Sequence, residues 1–138
     1  MAYKIVKDRR AWWPVKWNGV TEEGRVVENS IELRFILHTE DAFIKLLGEA
    51  SELPEKAKKH IAVNVTAEEE STALSVFYTG FLQKIASDWR GVQGENGEPL
   101  RWEADNIQLL MNEASVFTAA VAAYQACRSG IKDIRSGN

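Results

Sequence analysis

Residues that carry most enzyme and metal chemistry are scarce in this chain: its 138 residues include 2 histidines and 1 cysteine. A lone Cys127 makes no intramolecular disulfide and offers no second thiolate to a zinc site, so it is expected to serve as a small apolar residue on a buried helix face. His38 and His60 do not have the close spacing of a metal-binding pair. His38 is expected to bond local backbone at the end of a strand, and His60, after Lys58 and Lys59, to be solvated. No apolar run approaches the roughly 18 residues of a membrane span. Met1-Ala2-Tyr3-Lys4 has no apolar signal core behind it, so a cytoplasmic protein with no membrane partner is expected. Excess positive charge is also missing. The net charge is −3 and the pI about 5.5, which argues against a broad phosphate-binding surface and against nucleic acid as a partner. Charge is uneven: residues 1–65 carry 11 basic and 10 acidic side chains, residues 66–138 carry 6 and 10. There is no internal repeat and no low-complexity segment.

Periodic patterning is present. Ile31, Leu33, Phe35 and Leu37 alternate with Glu32 and Arg34, which predicts a half-buried strand. Trp12-Trp13-Pro14-Val15-Lys16-Trp17 predicts a second strand that Pro14, lacking an amide donor, places at an edge or a strand start. The polar Thr21–Arg25 stretch with Gly24 joins the two as an antiparallel pair or part of a small meander. At Thr39 the period changes to 3.6, predicting a helix over about 40–51 that Thr39 caps and Pro54 ends. Ile61–Val65 reads as a third strand or an extended linker. Thr66 and Glu69 match a capping box, and Leu74, Phe77, Phe81, Ile85 and Trp89 form one stripe, which predicts a continuous helix over 66–90. Asp105, with Gln108, is expected to cap a short helix that Asn112-Glu113 separates from a final one. Val116, Phe117, Ala120, Val121, Tyr124 and Cys127 should form the buried face of that last helix. The expected architecture is α+β, an N-terminal antiparallel strand unit followed by a C-terminal helical bundle. It forms a single domain over 1–138, with strands in 1–38, helices in 39–130 and a frayed tail in 131–138.

A search for chemistry returns structural explanations. Glu68, Glu69 and Glu70 are consecutive on a helix and cannot converge on one ion, and their place in the first turn suits the helix dipole. Gly91–Gly97 has neither the lysine nor the spacing of a phosphate loop and reads as a turn. Trp12, Trp13 and Trp17, with Lys7, Arg9, Arg10 and Lys16 nearby, suit either a stacking platform or core and edge cover. Trp89 and Trp102 are expected to close over one another or over adjacent helices. Catalytic, metal-ligating and cofactor-binding residues are therefore expected to be absent, and a binding or assembly role is favoured over an enzyme.

One pattern is more specific. Asp88-Trp89-Arg90-Gly91-Val92, the turn at Gly97-Glu98-Pro99, then Leu100-Arg101-Trp102 and Asp105-Asn106-Ile107 with Leu109 and Leu110 resemble the C-terminal half of tail assembly chaperones encoded by tailed phages and prophages. The resemblance covers about residues 74–135. It implies association with a tape-measure protein and a tail tube protein during tail morphogenesis, without retention in the finished particle. The thin alanine-rich helix suggests where a partner would sit. Val116, Ala119, Ala120, Ala123, Trp89 and Trp102 are the candidate partner-binding residues, with tight intrachain packing the competing reading of the alanines. The tryptophan-rich N-terminal stretch and Asp133 in the basic tail depart from the family pattern. Other readings are a structural virion tail subunit of tail-completion or tube type, and a small hydrolase or ligand-binding domain; self-association is compatible with each.

Overall fold

The computed structural model describes residues 2–60 and 67–130, with side chains described outside 53–73. Two long strands come first, β1 (Arg10–Val20) and β2 (Val26–Ile36), followed by α1 (Glu40–His60) and α2 (Ala67–Ile85). A short β3 (Ala86–Arg90) and two helices, α3 (Ala104–Met111) and α4 (Val116–Ser129), complete the described chain. The strands form one antiparallel sheet in the order β1-β2-β3. The fold is α+β, as the patterning predicts, although the third strand comes from a segment expected to be helical.

Alternation decides which sheet face is covered. Val15, Ile31, Leu33 and Phe35 are buried, and Ala11, Trp13 and Trp17 pack against the same core. Helix α4 lies against β1, while α2 touches both β2 and β3. The tip of the hairpin is closed by Thr21, whose N–H donates to the Arg25 carbonyl at 2.9 Å and whose Oγ1 accepts the Arg25 N–H at 3.1 Å. Gly24, at φ 83°, supplies the left-handed residue that this turn requires.

Both free edges of the sheet are blunted. Thr21 N–H to Arg25 O at one end of the hairpin and Leu37 N–H to Arg9 O at the other put odd-numbered β1 residues in the hydrogen-bonded pairs. Even-numbered residues therefore turn their backbone groups outward, and Pro14 removes one donor from that edge without costing a ladder bond. On β3, Trp89 stands opposite Leu33, and its N–H is taken by Asp88 Oδ1 at 2.8 Å.

Three expectations about helix boundaries are corrected. The helix predicted over 66–90 stops at Ile85, and Trp89 lies on β3, paired with Leu33. Its stripe runs at helical spacing into a segment with Ser87 and Asp88, whose side chains bond backbone (Ser87 Oγ to Arg34 O at 3.4 Å, Asp88 to Trp89 N–H), and the open edge of β2 supplies partners a helix cannot use. Gly91, at φ 87°, consequently turns the chain out of a strand rather than a helix. Pro54 does not end α1, which continues to His60 and packs along α2. Asp105 does not cap α3 either: Glu103 is the extended N-cap residue, without a side-chain cap, and Asp105 sits in the first turn. Gln108 reaches across to Ser75 Oγ at 3.3 Å instead of back toward the cap.

Other readings hold. Thr39 caps α1 through its hydroxyl to the Ala42 N–H at 3.4 Å, and Asn112 closes α3 before α4 starts. The Ile61–Val65 segment, the Thr66 cap and the 131–138 tail lie outside the described residues, as do the side chains of His60, Glu68, Glu69 and Glu70.

Candidate functional site

Tyr124, on α4, is the centre of the best-connected polar cluster. Its hydroxyl donates to the Ile36 carbonyl at 3.0 Å and accepts the His38 N–H at 3.4 Å. His38 Nε2 donates to the Lys84 carbonyl at 2.6 Å, which holds the proton on that nitrogen. Its partner is thus the end of α2 and not the local backbone expected. Arg128 donates to the His38 carbonyl at 3.3 Å and to Glu40 at 3.1 Å, and its guanidinium lies 3.7 Å from the Phe43 ring centre. Burial raises the Tyr124 pKa, and the His38 bond and Arg128 oppose that rise. These hydrogen bonds join β2, α1, α2 and α4, so the arrangement clamps elements together. Burial pushes the Cys127 thiol up to about 11, so it stays protonated near neutral pH and is a poor nucleophile. Among the described residues no three His, Cys, Asp or Glu side chains converge as a metal site.

The candidate partner-binding residues are mostly inside the molecule. Val116 and Ala120 are 1% exposed and Trp89 is 6% exposed, Ala123 is buried, and Ala119 and Trp102 are half-buried. The small residues of α4 are spent on close approach to β1, the tight intrachain packing that alanine permits. Trp89 and Trp102 meet edge to face with centroids 5.2 Å apart, and the Trp89 indole N–H donates to the Leu100 carbonyl at 2.8 Å. That pair ties the 91–103 loop to the sheet. Of the N-terminal tryptophans, Trp13 and Trp17 pack on the core, and Arg90 covers Trp12 at 3.6 Å from its ring centre. The platform is occupied by the chain itself.

An open groove of about 240 Å³ lies where α2 faces the corner between α3 and α4. Leu74, Tyr78, Met111 and Phe117 supply its apolar lining, with Glu113 and Thr118 among its polar residues. Tyr78 and Phe117 stack face to face at 3.9 Å and 5° while remaining half-buried. Ser115 adopts φ 71° at the start of α4, an uncommon conformation for a residue other than glycine, and turns the corner that opens the groove. Sequence periodicity places Phe117 on the buried face of the last helix; its stacking on Tyr78 depends on how α2 and α4 meet, which no local pattern encodes.

No described helix is long and apolar enough to cross a membrane. Comparison with known proteins finds no matching family model, no matching curated protein and no matching solved structure.

Proposed function

We propose that this chain is a tail assembly chaperone of a tailed phage or prophage, acting in the host cytoplasm by binding tape-measure and tail tube proteins rather than by catalysis. The observation that carries the reading is the residue pattern at 88–110. Its punctuation forms a strand, a left-handed glycine corner, a tight loop and a short helix, with Trp89 and Trp102 fastening the loop. The surface offered to a client differs from the sequence expectation, because the alanine face of α4 is covered. The α2/α3–α4 groove, with the accessible Tyr78–Phe117 stack, is the better docking surface for an apolar helical segment.

Co-expression with the tape-measure protein encoded beside this gene tests the reading. The expected result is a soluble complex whose formation has a negative heat-capacity change and weak salt dependence, as for apolar burial. Absence of a complex, with recovery of this chain in stoichiometric amounts from finished particles, replaces the chaperone by a virion tail subunit.

A further inference from the structure

Two asparagines of this chain are followed directly by glycine, Asn18 before Gly19 and Asn96 before Gly97. The fold gives the same dipeptide opposite surroundings. Asn18 lies within β1 opposite Glu28, and Gly19 stands opposite Val27 in a hydrogen-bonded pair of the ladder. The Asn29 side chain also lies over Gly19, its Nδ2 only 2.6 Å from where a Cβ on that glycine would be.

Asn96 instead occupies a turn in which every residue from 95 to 99 is exposed. Gly97 N–H donates to the Gly94 carbonyl at 2.9 Å, and Gly94 N–H donates to the Glu98 carbonyl at 2.8 Å. Gly97 has φ 80°, and apart from its chain neighbours nothing comes within 4 Å of a Cβ placed on it. The Asn96 side chain folds forward over this glycine, because its Oδ1 accepts the Glu98 N–H at 3.0 Å. That N–H draws electron density from the carboxamide carbon Cγ and stabilises negative charge developing on Oδ1 when a nucleophile attacks. The Gly97 amide nitrogen is the nucleophile tethered beside it, and its attack closes a five-membered ring. Breaking the exposed turn bond to Gly94 frees this nitrogen, and glycine has no Cβ to hinder the approach.

We propose that Asn96 is a site of spontaneous covalent modification, converting through a succinimide to aspartate and isoaspartate and thereby opening the 93–99 loop. The Gly97 nitrogen gives its proton to hydroxide and bonds to Asn96 Cγ; the Cγ–Nδ2 bond breaks, and Nδ2 takes up a proton and leaves as ammonia. Water then adds to one of the two ring carbonyls. Breaking the new N–Cγ bond gives aspartate, whereas breaking the original peptide bond to Gly97 routes the main chain through Cβ and Cγ and gives isoaspartate. Water is consumed, ammonia is released, and no oxidant or reductant takes part. Isoaspartate adds a carbon to the main chain inside the Gly94–Glu98 bond and the Gln93–Pro99 bridge, and either product adds negative charge beside Glu95 and Glu98. This inference is independent of the tail-assembly reading.

Peptide mapping by mass spectrometry, on the full chain aged at mildly alkaline pH, tests it. Acid accumulates at Asn96 at least about tenfold faster than at Asn18, because an exposed turn opens far more often than a paired strand. Ageing in urea removes the difference between the two sites. Isoaspartyl methyltransferase labels the aged chain strongly and aged Asn96→Ser weakly; the serine hydroxyl still accepts the Glu98 N–H, so the turn itself is kept. The Gly94 amide exchanges its hydrogen faster in the aged fraction than in fresh protein. Asn96 that stays an amide in the folded chain but converts in urea overturns the proposal, as does equal conversion of Asn18 and Asn96 in the folded chain.

Discussion

Tyr124 shows how one hydroxyl organises a junction. It bonds the backbone at both Ile36 and His38, and its ring packs on Phe35 at 5.3 Å and Phe43 at 5.9 Å. Tyr124→Phe keeps the ring contacts and leaves those two backbone groups without their partner. A loss of about 1–2 kcal/mol in urea unfolding is expected, with little change in the slope against denaturant. Cys127 makes a second prediction through its titration. Its folded pKa of about 11 lies above the ordinary 9.0, so the protonated thiol favours the folded state, fully below pH 9 and progressively less as pH rises toward 11. Urea unfolding should therefore show stability falling through this alkaline window, with a smaller fall in Cys127→Ala. The part that remains belongs to Tyr124, whose pKa is also raised. Thiol labelling of the folded protein at pH 8 should be slow and should speed up on unfolding.

At the level of elements, α2 is the packing hub, since α1, α3, α4 and two strands touch it. Phe81 is buried there, edge to face with Phe117 at 5.7 Å. Phe81→Ala should cost about 3–5 kcal/mol in chemical denaturation, because the ring is buried and its removal leaves a cavity beside Phe117. In α1, Pro54 interrupts the backbone ladder of a helix that runs on to His60. Pro54→Ala should raise the midpoint of thermal unfolding, by an amount equivalent to about 1–3 kcal/mol. These two elements also mark what the sequence makes legible. Strand β2, the edge placement of Pro14, the break at Asn112 and the buried stripe of α4 follow from local periodicity and backbone chemistry. Strand β3 does not, because Phe81, Ile85 and Trp89 keep helical spacing while the decisive pairing of Trp89 with Leu33 is distant in sequence. The packing of α4 is hidden from the sequence for the same reason. Alanines at 119, 120 and 123 suit a partner helix or close intrachain packing equally well, and only the fold shows that α4 lies against β1.

On the scale of the whole molecule, the sheet has helices packed against one face, and its other face carries paired charges. Lys16 approaches Glu28 and Arg90 approaches Glu32, each at 3.9 Å. Such exposed pairs add little stability, so this face acts mainly as a solvated cover, while the large apolar side chains left in solvent are scattered over the segment before β1, the hairpin tip, α1, α2 and α3. The late arrival of β3 has a further consequence during synthesis. Leu33 leaves the ribosome well before its cross-strand partner Trp89, by roughly 3–11 s at about 5–20 residues per second. Throughout that interval the hairpin has an unpaired inner edge and an uncovered Leu33–Phe35 face. Ribosome-bound chains arrested before Trp89 emerges should be cut readily by protease within the hairpin, and those arrested after all of α4 emerges should resist, so a strand and a helix made last set the moment at which the nascent protein becomes safe.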